Sequence, residues 1–124
     1  MNWLVERQVF IFNGIEIVNI IATPQKTSDS FFILGAHYDT RIYATEDISD
    51  PEAPVLGAND GGSGVAVLLE LARTLDYSDI SIKQVLVFFV AEDNGGFEGW
   101  KWIIASTYYA SRLTGIQEFV VLNE

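Results

Sequence analysis

A chain of 124 residues with 49% hydrophobic and 13% aromatic content has the material for one packed domain and is not a disordered polymer. Its 17 acidic residues against 7 basic ones give a formal charge of −10, which argues against a phosphate-binding surface and so against a nucleic-acid partner. The absence of cysteine excludes thiolate metal sites, disulfides and cysteine nucleophiles.

No stretch approaches the ~20 apolar residues of a membrane helix, so no membrane partner is expected. Residues 1–23 are apolar but carry Glu6, Arg7 and Glu16, and they do not form the uninterrupted core of a signal peptide. The compartment and the oligomeric state stay open at this level.

In chain order, two β-rich runs, 9–12 and 15–22, flank Asn13-Gly14, a strong two-residue hairpin signal. Pro24 stops the second run and 25–30 is a polar turn. Residues 31–36 are wholly apolar, as in a strand buried on both faces. Residues 40–56, with Pro51, Pro54 and four acids, form a surface loop long enough to suggest a functional role. From Ser63 the period changes: Val65, Leu68, Leu69, Ala72 and Leu75 recur at helical spacing, and Val67 and Leu71 widen the stripe. The spacing predicts a mostly buried helix over 63–76 that covers the sheet.

Residues 80–82 form a short lead-in to a second buried strand at 85–90, and Gly95, Gly96 and Gly99 break the chain before a helix over 100–113. Gly115 ends that helix and 118–123 is a third buried strand. Strands alternating with helices give an α/β fold: a mixed sheet with parallel central strands, an N-terminal antiparallel hairpin and helices packed on the sheet. All 124 residues belong to one domain, and an end on Glu124 directly after an apolar strand suggests a domain truncated at its C-terminus.

Three of the apolar runs end on potential metal ligands. The only histidine, His37, closes the first with Asp39 two residues on; Glu92-Asp93 closes the second, and Asn123-Glu124 the third. Sites in open α/β sheets form outside the carboxyl ends of the strands. Asp60, among glycines ahead of the 63–76 helix, adds a fourth carboxylate. Taken singly, each has an ordinary reading: a satisfied histidine, a helix cap at Asp60, a solvated acidic turn at 92–93. Taken together they suit a zinc centre, with histidine and carboxylate ligands and a second carboxylate to move protons. Asp39 is placed either to hold the His37 ring from behind or to occupy solvent.

At these residues the chain resembles the zinc-dependent peptidases of family M28, which include aminopeptidases and the related glutaminyl cyclases. The matching stretches are GAHYDTR (35–41), PVLGANDGGSGVAVLLELART (54–74), VLVFFVAEDNG (85–95), the segment from Trp100 to Ala110, and EFVVLNE (118–124). The resemblance implies that His37 binds one zinc with Asp39 holding its ring, and that Asp60 bridges two zinc ions. It further implies that Glu92 is the general base toward the bridging water and Asp93 a ligand of the second metal. Glu124 falls where the family carries an aspartate ligand. A second histidine ligand is expected well downstream, and the chain has none.

The resemblance implies a two-zinc exopeptidase of the aminopeptidase kind acting on a peptide or aminoacyl substrate. The runner-up that it implies is a glutaminyl cyclase-like acyltransferase, for which Trp100 and Trp102 would line a small apolar pocket. A catalytically incomplete domain, with Glu46, Asp47, Asp50 and Glu52 as an acidic face, is the third reading. With one histidine, residues 1–124 alone are expected to retain zinc poorly and to turn over little.

Overall fold

A computed structural model describes residues 2–25, 27–76, 78–114 and 118–122, the last stretch as backbone. Its elements are β1 (Trp3–Phe12), β2 (Ile15–Pro24), β3 (Phe31–His37), α1 (Gly62–Thr74), β4 (Lys83–Phe89), α2 (Ile104–Ser111) and β5 (Glu118–Leu122). The five strands form one sheet in the order β1-β2-β4-β3-β5. β1 pairs antiparallel with β2, and β2 antiparallel with β4. β3 lies parallel to both β4 and β5, so the centre of the sheet is parallel and its N-terminal margin is a hairpin, as the sequence pattern predicts.

The hairpin turns at Asn13-Gly14, both at positive φ (49° and 78°), as its turn residues require. β1 is longer than the run at 9–12 because Glu6, Arg7 and Gln8 interrupt its apolar pattern without interrupting its pairing, which continues to Trp3 opposite Pro24. The strand's outer, partly solvated position tolerates those polar residues.

The two helices cover opposite faces. On one side Leu68 of α1, fully buried, packs with Ala22, Ala36 and Leu86. On the other, Tyr109 of α2 packs with Ile33, Val85, Val87 and Phe89, while Ile104 and Ala105 pack with Ile17 and Ala91. The period-2 alternation of β4, Leu86 toward α1 and Val85, Val87 and Phe89 toward α2, produces this division. α1 is less buried than its sequence stripe predicts. Leu68 is its one buried residue and Val67 and Leu69 are about half exposed, because a single helix offers the sheet only one face. α2 is also shorter than predicted, 104–111 in place of 100–113, for a reason that lies in the site. The predicted helix stop at Gly115 lies outside the described residues.

One close approach fixes the middle of the sheet. A Cβ added to Gly35 would lie 2.5 Å from Cε2 of Phe89, whose ring is fully buried and set edge-on to Tyr109 at 5.7 Å. Gly35→Ala is therefore expected to destabilise the fold by about 1–3 kcal/mol. Phe89→Leu in the same chain should restore part of that loss. Equilibrium urea unfolding of the three variants checks both statements, and an unchanged midpoint for Gly35→Ala would contradict the packing described.

Candidate functional site

The parallel register sets His37 opposite Phe89, so the ends of β3 and β4 leave the sheet level with each other. The Tyr38 amide donates to the Phe89 carbonyl at 2.8 Å and carries the pairing one residue past the strand. His37 is 5% exposed. Its Nδ1 lies 3.1 Å from the main-chain oxygen of Asp39, which can only accept, so Nδ1 carries the proton. On the other side of the ring Nε2 faces Asp60 Oδ1 at 3.0 Å. A ring nitrogen and a carboxylate oxygen that face each other can share a cation, either a proton or a metal ion. At metal–ligand bonds of about 2.0–2.2 Å, two ligands of one tetrahedral zinc ion stand roughly 3.3–3.6 Å apart. At 3.0 Å the two side chains suit a zinc ion by donor type and would part by a few tenths of an ångström to take one.

Asp60 reaches the ring because Gly61 follows it at φ +87°. A Cβ at Gly61 would lie 2.8 Å from the Asp39 oxygen and 3.4 Å from His37 Cε1, so only glycine lets this turn close on the imidazole. Gly61 is also the N-cap of α1, and no side chain caps that helix. Asp60 is thus not engaged as the helix cap that its position in the sequence allowed.

Asp39 binds both strand ends together. Its carboxylate accepts from the Glu92 amide at 3.1 Å, the Asp93 amide at 3.4 Å and Asn94 Nδ2 at 3.4 Å. The carboxylate stands 3.6 Å from His37 Nδ1, farther than the same residue's carbonyl, so the main chain of Asp39 is what orients the ring. Asn94 adds two bonds to the same seam, donating to the Thr40 oxygen and accepting from the Ile42 amide. Arg41 closes it. Its guanidinium donates to the Asp93 and Gly95 carbonyls and lies over the rings of Phe97 and Trp102, at 5.5 and 5.0 Å from their centroids. Trp102 is thereby stacked on the rim, about half exposed, while Trp100 borders a cavity of about 280 Å³ that Asp39 and Asn94 also line.

Glu92 explains where α2 begins. The Ile103 amide donates to the Glu92 carbonyl and the Ile104 amide to the Ala91 carbonyl. The next two amides, of Ala105 and Ser106, donate to Glu92 Oε1 at 2.9 and 2.8 Å, and the Ser106 hydroxyl donates to Oε2. The amides that a helix start leaves without partners are thus taken by one corner 11 to 14 residues upstream, and residues 100–103 cannot join the helix. Ala91 and Ile103, which bracket the stitched corner, both sit at positive φ (59° and 51°). For a β-branched residue this is a strained conformation, costing on the order of 1–3 kcal/mol, that the surrounding bonds enforce. Burial pushes the Glu92 carboxyl above its ordinary range, while the Ser106 and Ala105 bonds pull it down.

Asp93 is the remaining described acid. Burial raises its carboxyl, the charge of Asp60 raises it further, and Arg41 and His37 act in the opposite direction. Its field couples to both His37 and Asp60, yet among the described residues no three histidine or acidic side chains converge closely enough to hold an ion together. The structure thus brings His37 and Asp60 into contact and sets Asp93 beside them, whereas Glu124 lies outside the described residues. Sequence reasoning missed Ser106, Asn94 and Arg41 as parts of this region. No local pattern marks them, because their partners lie 14 to 54 residues away.

Residues 19–123 match Peptidase family M28, and the chain belongs to that family. A zinc-dependent exopeptidase from Parabacteroides distasonis superposes over 98% of this chain and 47% of its own, with a TM-score of 0.82 at 28% identity. A glutaminyl cyclase from Bacteroides thetaiotaomicron covers 98% of this chain and 48% of its own, with a TM-score of 0.81 at 29% identity. A probable zinc metalloprotease of Pyricularia oryzae is 41% identical over 61 residues, 48% of this chain and 12% of that protein. The chain thus spans about half the length of the solved structures it matches, and less of the curated relatives.

The bonds at the start of α2 have a direct readout. Amide hydrogen exchange at Ala105 and Ser106 is expected to quicken about tenfold in Glu92→Ala, in line with the ~1 kcal/mol of a lost helix cap. The Val87 amide, in the centre of the sheet, should be unaffected. Unchanged rates at both helix positions would contradict the described cap.

Proposed function

We propose that this chain carries the zinc-binding and proton-transfer half of an exopeptidase that removes residues from the N-termini of peptides. The observation that carries the reading is the facing pair His37 Nε2 and Asp60 Oδ1, with Nδ1 engaged by the Asp39 carbonyl on the opposite side of the ring and Asp60 free of a capping role. His37, Asp60 and Asp93 would hold the metal, two ions in the complete site, with Glu124 as a further ligand. Bound zinc would supply a Lewis acid and a water of lowered pKa.

Glu92 would take the proton from the attacking water and return it to the leaving amine. Three of about four acceptor positions on its carboxylate are already used by Ala105 and Ser106, which leaves one, on Oε2, for that proton. Asp39 would serve by keeping the β3 and β4 ends in register, so that the ligand-bearing and proton-bearing corners keep their separation.

A second reading is supported by the rim. Arg41, Phe97 and Trp102 form a stacked wall beside the site, a surface suited to a small neutral side chain such as glutamine, and this favours a glutaminyl cyclase-type acyl transfer. The two reactions are separated by incubating the intact protein with Leu-p-nitroanilide and with Gln-initiated peptides. Release of p-nitroaniline is the outcome expected of the exopeptidase; pyroglutamate without it would establish the cyclase. Residues 1–124 alone are expected to hold less than one tightly bound zinc ion per chain, because His37 is their only histidine. Two tightly held ions measured by metal analysis on that chain would overturn the assignment of ligands.

A further inference from the structure

We propose that Ser106 is a positioning residue for Glu92, its hydroxyl fixing the plane of the carboxylate so that a single acceptor position on Oε2 points into the site. The proposal rests on the reading of Glu92 as the proton carrier and adds the group that orients it.

The two oxygens of Glu92 are held by different kinds of donor. Oε1 receives the main-chain amides of Ala105 and Ser106, which belong to the helix and cannot turn. Those two bonds anchor one oxygen but still permit the carboxylate to rotate about it. The Ser106 hydroxyl on Oε2 removes that freedom, because a carboxylate bonded at both oxygens has its plane set.

The helix start that carries these donors is itself pinned. Asn19 of β2, fully buried, donates from Nδ2 to the Ala105 carbonyl at 3.0 Å and to Gln8 Oε1 at 2.8 Å. The strained Ile103 and Ala91 are tied to the same corner by the Ile103-to-Glu92 and Ile104-to-Ala91 main-chain bonds. A cap serving stability alone would not need a side-chain hydroxyl in addition to two amides from a pinned turn. The arrangement suits a group whose direction matters, since misplacing a reacting group by about 1 Å can cost ~100-fold in rate.

The test compares Glu92→Gln, Ser106→Ala and Ser106→Thr in the intact zinc-loaded protein, with kcat and KM determined separately and hydrogen exchange followed at Ala105. Glu92→Gln should abolish turnover. Ser106→Ala should lower kcat about 10- to 100-fold with KM within about twofold, and Ser106→Thr, which restores the hydroxyl, should recover most of it. Exchange at Ala105 should stay slow in both Ser106 variants, since the amide bonds to Oε1 do not involve the hydroxyl.

Full kcat in Ser106→Ala, with Glu92→Gln inactive, overturns the positioning role and leaves the proton-carrier reading standing. Turnover surviving in Glu92→Gln overturns that reading itself. Loss of kcat in both Ser106 variants would mean that restoring the hydroxyl does not restore turnover, which also overturns the proposal. Should Ser106→Ala fail to fold, Ser106→Cys, close in size with a weaker donor, carries the same comparison.

Discussion

The pairing of β3 with β4 is the constraint on which the site depends. Seven residue pairs from Phe31 opposite Lys83 to His37 opposite Phe89 run in parallel, so two strands distant in sequence end at one level. A one-residue slip would turn His37 to the other face and carry Glu92 away from it. The register is protected by packing as well as by hydrogen bonds. Gly35 admits the Phe89 ring, and the Asp39 carboxylate gathers the Glu92 and Asp93 amides immediately beyond the last pair. Every chemical feature described above is built outward from this seam.

The same corner is rich in carboxylates. Asp93 lies within electrostatic reach of Asp39, Asp60 and His37, and Glu92 within reach of Asp39, in a chain that already carries a formal charge of −10. Asp39 is offset by amide donors and Glu92 by the start of α2. The charge of Asp60 raises the Asp93 carboxyl, and His37 Nε2 faces Asp60. A bound divalent ion would offset part of that charge, in keeping with the zinc-dependent relatives of this chain.

Much of this was legible in the sequence, and the remainder has a common cause. The Asn13-Gly14 hairpin, the buried strands at β3 and β4 and the strand-end placement of His37, Glu92 and Asp93 follow from local pattern: turn residues, uninterrupted apolar runs and the polar residues that end them. The N-terminal limit of α2 was not legible. Trp100 to Ile103 have helix-compatible composition, but the amides from Ile103 onward are claimed by Ala91 and Glu92. The burial of α1 was overestimated because an apolar residue signals a preference and not a partner, and Val67 and Leu69 find none in the sheet below. Ser106 and Asn94 escaped notice for the same reason: their roles are defined by residues that only the fold brings near.

The central claim is that the His37 and Asp60 side chains face each other in order to share a zinc ion. An anomalous-diffraction map collected at the zinc edge on crystals of the intact, zinc-loaded protein tests it most directly. The account predicts a peak within about 2.0–2.2 Å of both His37 Nε2 and an Asp60 carboxylate oxygen. A zinc peak elsewhere, or Asp60 turned away to cap α1 with no metal beside His37, would contradict it.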